Sequence, residues 1–185
     1  MRLGEKETRI ARLAALYLFT SQGIPMIHSG QEWGRTKWIT PENEYDEHRC
    51  KLDHNSYEKD NQTNHLDYTE IDQNPWLFAY YCQLIRLRKK YAALKFAEHD
   101  DIHFLASHDA LHLAFKISLA GRPKEPALIV VLNGHPQHSY HVELPEGSWE
   151  MLVNGPEIYP EGSGTIVSSH VEIPGTSGAV YRQTK

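Results

Sequence analysis

Polar side chains with chemical potential gather behind one short apolar run. Met26-Ile27-His28 opens onto Gln31, Glu32 and Arg35, and a second group, Tyr57, Asp60 and Asn64, follows downstream. A carboxyl at a strand end can donate or take a proton, so Glu32 invites a role as an acid, with Arg35 and Asp60 within plausible reach to tune it. Arg35 could clamp ligand hydroxyls through its planar donors, or it could fix Glu32 or a loop carboxylate as a buried partner. Twelve histidines, among them His48, His54 and His65, raise the question of a metal, but their spacing makes no zinc pattern and reads as dispersed. No metal ligand set is assigned. A carbonyl-and-carboxylate calcium site around Asp53, Asp60 or Asp67 is the one ionic cofactor the loop could build.

These groups need elements to place them. The pattern predicts a helix over 7–21, apolar nearly all round after its first turn, feeding through Gly23 and Pro25 into a strand over 26–28. In parallel α/β architectures ligands gather where strand ends meet loops, which makes the following segment the first place to look. From 33 to 72 no period holds, and an irregular loop that long is usually functional. Asn74 and Pro75 then supply an N-cap and a first helical residue for a helix over 75–91, with Leu77, Tyr80, Tyr81, Leu84, Ile85 and Arg88 at helical spacing. Its basic end, Arg86 to Lys90, reads as a solvated face that suits the helix dipole.

Past Glu98 the period becomes two. Runs at 102–105, 111–117, 128–132 and 140–144, with turn signals between them and the later strands, predict seven or eight short strands in an antiparallel β-sandwich. Trp149, Leu152, Ile166, Val171, Ile173, Val180 and Tyr181 are its expected inward faces. The expected domains are therefore 1–98 and 99–185.

With 185 residues and a net charge of −5, the chain shows no electrostatic footprint for nucleic acid and no membrane-binding charge block. Its apolar runs are far shorter than the roughly 20 residues that span a bilayer. Cys50 and Cys82 suit two free thiols better than a disulfide, which favours a reducing, cytoplasmic setting unless an export signal lies upstream of Met1.

Three motifs carry a resemblance. Ser21-Gln22-Gly23-Ile24-Pro25-Met26-Ile27-His28-Ser29-Gly30-Gln31-Glu32 with Arg35-Thr36-Lys37 is similar to the eighth barrel strand of the α-amylase family of glycoside hydrolases (family 13) and its continuation. The stretch His54 to Tyr68 resembles the "NSY…D…N…DW" loop of that family's pullulanase and isoamylase members. Here Asp60 stands three residues after Tyr57, as in the isoamylase pattern, and Tyr68 replaces the tryptophan. Tyr80 to Tyr91 looks like the last barrel helix, before a β-sandwich C-terminal domain.

The resemblance implies an α+β chain: the last βα portion of a (β/α)8 TIM barrel followed by an antiparallel β-sandwich. It implies a retaining hydrolase of α-glucans, of α-1,6 debranching type. Such hydrolysis needs two carboxyl groups about 5–5.5 Å apart, and the family carries its three catalytic carboxylates on barrel strands four, five and seven. None of those strands is here, and a full barrel takes about 250 residues. The chain is thus expected to be a C-terminal piece without catalytic residues and inactive alone. Its partners would be an α-glucan and the missing N-terminal barrel portion, with self-association through the uncovered apolar surface.

Arg35, Tyr57, Asp60 and Asn64 become candidates for substrate binding, since sugar sites need aromatic faces and paired donors or acceptors. Gln31 and Glu32 become site-shaping residues, Glu32 losing the acid role. Loop satisfaction by Asx and Tyr side chains is the plainer reading of the second group. Trp33 and Trp38 could stack on sugars or pack the barrel rim, with packing the default. The competing function is a stand-alone carbohydrate-binding or structural β-sandwich module.

Overall fold

The computed structural model describes residues 2–41, 49–53, 55–107 and 109–184. His48, His54 and the His108 end of one expected turn lie outside the described residues. The chain divides into two compact units, Met1–Leu3 with Ile27–Phe78, and Gly4–Met26 with Ala79–Lys185. Residues 1–98 thus contribute to both units.

In the first unit the expected irregular loop has internal order. Short 3-10 turns form at Gln31–Trp33, Gln62–Asn64 and Tyr68–Gln73. Between the first two, residues 37–39 meet 50–53 in a brief antiparallel ladder: Asp53 N donates to Lys37 O at 2.8 Å, Ile39 N to Lys51 O at 3.0 Å, and Cys50 N to Ile39 O at 2.9 Å. Trp38 and Leu52 are the bridged pair. Trp33 and Ile39 are buried here, and Asn74 joins distant chain by accepting from Leu3 N and donating to the Trp33 carbonyl, both at 3.0 Å.

The strand expected at 26–28 does not form: residues 24–28 are neither helix nor strand. A single strand has no neighbour to satisfy its alternating N–H and C=O groups. Ile24 is 98% and Met26 85% exposed.

The second unit is a helix-backed antiparallel assembly. Helix α1 spans Glu5–Thr20 and α2 Pro75–Lys90, the latter in this unit from Ala79 on, both close to the expected bounds, and a four-residue α3, Ala93–Phe96, follows. The strands are β1 (Ile102–Phe104), β2 (His112–Ile117), β3 (Leu128–Asn133), β4 (Tyr140–Glu143), β5 (Ser148–Asn154), β6 (Glu157–Ile158), β7 (Ile166–Val167), β8 (His170–Ile173) and β9 (Ser177–Thr184). They make a seven-stranded sheet in the order β1-β2-β3-β9-β5-β6, with β7 also on β5, and a two-stranded sheet β4-β8.

Both sheets contribute to one apolar core, in which Val142 and Ile173 of the small sheet join Ile129, Val131, Trp149 and Tyr181 of the large one. Strand β3 is buried at every position, as a strand covered on two faces must be. One face meets that core. Helix α1 lies against β9 and β3 so closely that a Cβ on Gly178 would stand 2.7 Å from Leu16 Cδ2 and 2.9 Å from the Val131 carbonyl. The expected inward faces hold except at Ile166, which is 52% exposed because β7 is a two-residue edge pairing only with β5.

Arg88 departs from its expected solvated face. It is 8% exposed and donates to the carbonyls of Phe19 at 2.7 Å, Ser21 at 2.9 Å and Gly23 at 2.6 Å. These are groups at and beyond the end of α1, where helix geometry leaves carbonyls without partners. Both cysteines are free thiols, Cys50 exposed and Cys82 half-buried. Among the described residues no helix is long and apolar enough to cross a membrane.

Candidate binding groove

The site is built on a tight turn. Gly30 and Gly34 hold φ of 94° and 72°, left-handed values that favour glycine, and a Cβ on Gly30 would collide with the Arg35 side chain at 2.6 Å. Gly30 O accepts from Arg35 N at 2.9 Å and from Trp33 N at 3.2 Å. The two site-shaping candidates serve the same turn: Gln31 Oε1 accepts from His28 N at 3.3 Å, and Glu32 Oε2 from Gly30 N at 3.0 Å. Arg35 then reaches across, its Nη2 donating to the carbonyls of Thr63 at 2.8 Å and His65 at 3.0 Å. Its guanidinium therefore binds main chain; neither a carboxylate nor Glu32 is its partner among the described residues.

A second device closes residues 53–64 into a small loop. Asp53, its side chain only 2% exposed, takes Lys59 Nζ at 2.7 Å on one oxygen and Asn55 N at 3.0 Å on the other. Asn64 is the staple: Nδ2 donates to the carbonyls of Ser56 and Lys59, while Oδ1 accepts from Ser56 Oγ at 2.8 Å. Lys37 Nζ completes the set by donating to Ser56 Oγ at 2.5 Å. At the tip stand Tyr57, 76% exposed, and exposed Asp60, followed by Asn61, whose Oδ1 caps Thr63 N at 3.1 Å.

Between turn and loop lies a groove of about 550 Å³ walled by Arg35, Trp38, Thr63, His65, Asp67 and Glu70. Asp67 Oδ1 accepts from Thr69 Oγ1 at 2.6 Å and Thr69 N at 2.9 Å. The Thr69 hydroxyl first, and its N–H second, hold the Asp67 carboxyl below the ordinary 3.8, so it is an ionised acceptor at neutral pH.

Of the six candidates, Arg35 alone lines this groove. Tyr57 and Asp60 project from the loop tip, Asn64 is turned into the loop, and Gln31 and Glu32 into the turn. Of the other lining residues, Trp38 was expected to pack by default, His65 to be a dispersed histidine and Asp67 to be at most a calcium ligand, while Glu70 carried no expectation. The Asp67-Tyr68-Thr69-Glu70 spacing carried a signal, since an Asx residue three before a glutamate often opens a helical turn. Asp53, Asp60 and Asp67 do not converge, and among the described residues no three of His, Cys, Asp or Glu gather as metal ligands would.

No protein-family model matches the chain. A pullulanase of Bacillus subtilis (strain 168) is 34% identical over 91 residues, 49% of this chain and 11% of that protein. The solved pullulanase from Bacillus acidopullulyticus superposes with a TM-score of 0.79 at 26% identity, over 98% of this chain and 21% of its own. A Paenibacillus barengoltzii pullulanase, solved with maltohexaose and alpha-cyclodextrin, gives 0.72 at 26% identity, over 98% of this chain and 26% of its own. The chain thus spans between about a tenth and a quarter of the length of these relatives. In sequence over 49% of its length and in fold over nearly all of it, the chain is similar to a segment of pullulanases.

Proposed function

We propose that the chain is the C-terminal part of a retaining α-glucan hydrolase that cleaves α-1,6 branch linkages. In this reading α1, the segment 24–28 and α2 are the closing βα portion of a TIM barrel, and β1–β9 form its C-terminal sandwich. The likeness to pullulanases along 98% of the chain carries the proposal. The catalytic carboxylates lie outside these residues. What the chain supplies is a wall of the substrate cleft: a turn set by Gln31 and Glu32, tied by Arg35 to a loop that Asn64 holds closed, with Tyr57 and Asp60 presented at its tip. A ring face and a carboxylate on a rigid loop suit a glucosyl unit and its vicinal hydroxyls.

The test is hydrolysis of pullulan. The whole natural enzyme should release maltotriose, the 185-residue chain alone should release no reducing ends, and Asp60→Ala in the whole enzyme should lower kcat/KM on branched substrate about tenfold, equivalent to ~1.4 kcal/mol. An enzyme that leaves pullulan intact while cleaving linear α-glucans refutes the debranching assignment. An unchanged kcat/KM in Asp60→Ala removes Asp60 from the cleft.

A further inference from the structure

We propose that Trp38 is the stacking floor of a glucosyl-binding subsite in the groove beside the loop, an inference that rests on the α-glucan reading above. The first observation is that one unit treats two nearby tryptophans in opposite ways. Trp33 is 3% exposed, whereas Trp38 is 49% exposed although Ile39 beside it is buried.

The local ladder explains the difference. Side chains alternate faces along a paired strand, so burying Ile39, with Lys37 half-buried on the same side, turns Thr36, Trp38 and Thr40 to the other, and all three line the groove. Leu52, the bridged partner of Trp38, is also exposed and stands where a cross-strand aliphatic neighbour braces an aromatic ring. The indole is therefore held open by backbone pairing.

Other lining residues have the complementary chemistry. Asp67 and Glu70 stand three residues apart at the head of the 3-10 turn Tyr68–Gln73, a spacing at which side chains fall on one face. Asp67 is pinned by Thr69, so its remaining acceptor capacity faces a fixed direction. Thr63 and His65 line the groove as well. A groove with a flat apolar floor and a rim of paired acceptors fits a pyranose, which has C–H groups on its faces and hydroxyls around its edge. Its volume lies in the range of small-ligand sites. The Arg35 guanidinium, occupied by the carbonyls of Ser29, Thr63 and His65, lines the groove and ties its two chain segments together.

Titration of the 15N-labelled 185-residue chain with maltotetraose tests this. Trp38 is one of four tryptophans, and its indole N–H signal is identified by its loss in Trp38→Phe. The expected result is that this signal moves on titration, that Trp38→Ala weakens binding at least tenfold, and that Trp38→Tyr stays within about threefold of the parent chain. Backbone spectra of each variant establish that the ladder at 37–53 is intact. If maltotetraose shifts other signals, and Trp38→Ala binds it as tightly as the parent chain, the subsite is wrong and the α-glucan reading survives. If no signal of the chain moves, both fall together.

Discussion

Asn64 shows how a single amide can set a loop. Its two donors and one acceptor close residues 56–64 on themselves, and removing it leaves the carbonyls of Ser56 and Lys59 short of a partner. Asn64→Ala should cost about 1–3 kcal/mol of local stability. Amide exchange at 56–64 should accelerate at least tenfold, while exchange in β3 stays as it was. An unchanged exchange pattern would mean that Asp53 and Lys59 hold the loop without it. The sequence offered Asn64 as a sugar ligand or, more plainly, a loop-satisfying side chain, and Arg88 as part of a solvated basic end, and in the structure both bind main chain. Nothing in residue type separates a side chain that reaches a ligand from one that reaches a distant carbonyl; only the return of the chain decides it. Trp38 was expected to pack by default rather than stack on sugars, and its exposure was not legible because it comes from pairing with Leu52, fourteen positions on in a segment without sequence periodicity.

At the scale of elements, the Glu150–Arg182 pair joins neighbouring strands β5 and β9, where the two residues stand in register. Arg182 donates to Glu150 Oε2 through Nε at 2.8 Å and Nη2 at 2.6 Å, and through Nη1 to Tyr91 Oη at 3.1 Å, which ties the sheet to the end of α2. Gly164 N reaches Glu150 Oε1 at 3.0 Å. Arg182 chiefly, then Gly164, holds the Glu150 carboxyl below its ordinary 4.5. The folded chain thus binds this proton less readily than the unfolded one. The stability it contributes is complete above about pH 4.5 and is lost as pH falls through the lower folded value. Glu150→Gln should destabilise the chain by roughly 1–2 kcal/mol at pH 7. It should also flatten the acid limb of a thermal-unfolding series run from pH 7 to 3, and a limb as steep as before would assign the loss to other carboxylates. Elements themselves were largely legible. Helical period and proline placement gave α1 and α2 nearly to the residue, and period-two runs gave β2, β3 and β4. The missing strand at 26–28 was legible only as a pattern, since a strand exists through its neighbours.

For the whole molecule, segments far apart in the chain fold together. Gly4–Met26 belongs with the sheet, and Leu16 fills the space that Gly178 leaves bare. Residues 99–185 made alone should therefore lose cooperative thermal unfolding and self-associate, because the uncovered faces of β3 and β9 are apolar. Adding back α1 as a peptide should raise the melting temperature, read by the fluorescence of buried Trp149. A shortened chain that melts as sharply as the full one would show that the helix is dispensable to the sheet.

Arg88 reaches back 69, 67 and 65 positions to Phe19, Ser21 and Gly23. On a chain that emerges from its N-terminus, the end of α1 has no settled course until α2 has been made. Closing so long a loop is entropically costly and slow compared with winding either helix. The direction in which the backbone leaves α1 is thus expected to be fixed late in folding, by a residue more than a third of the chain away.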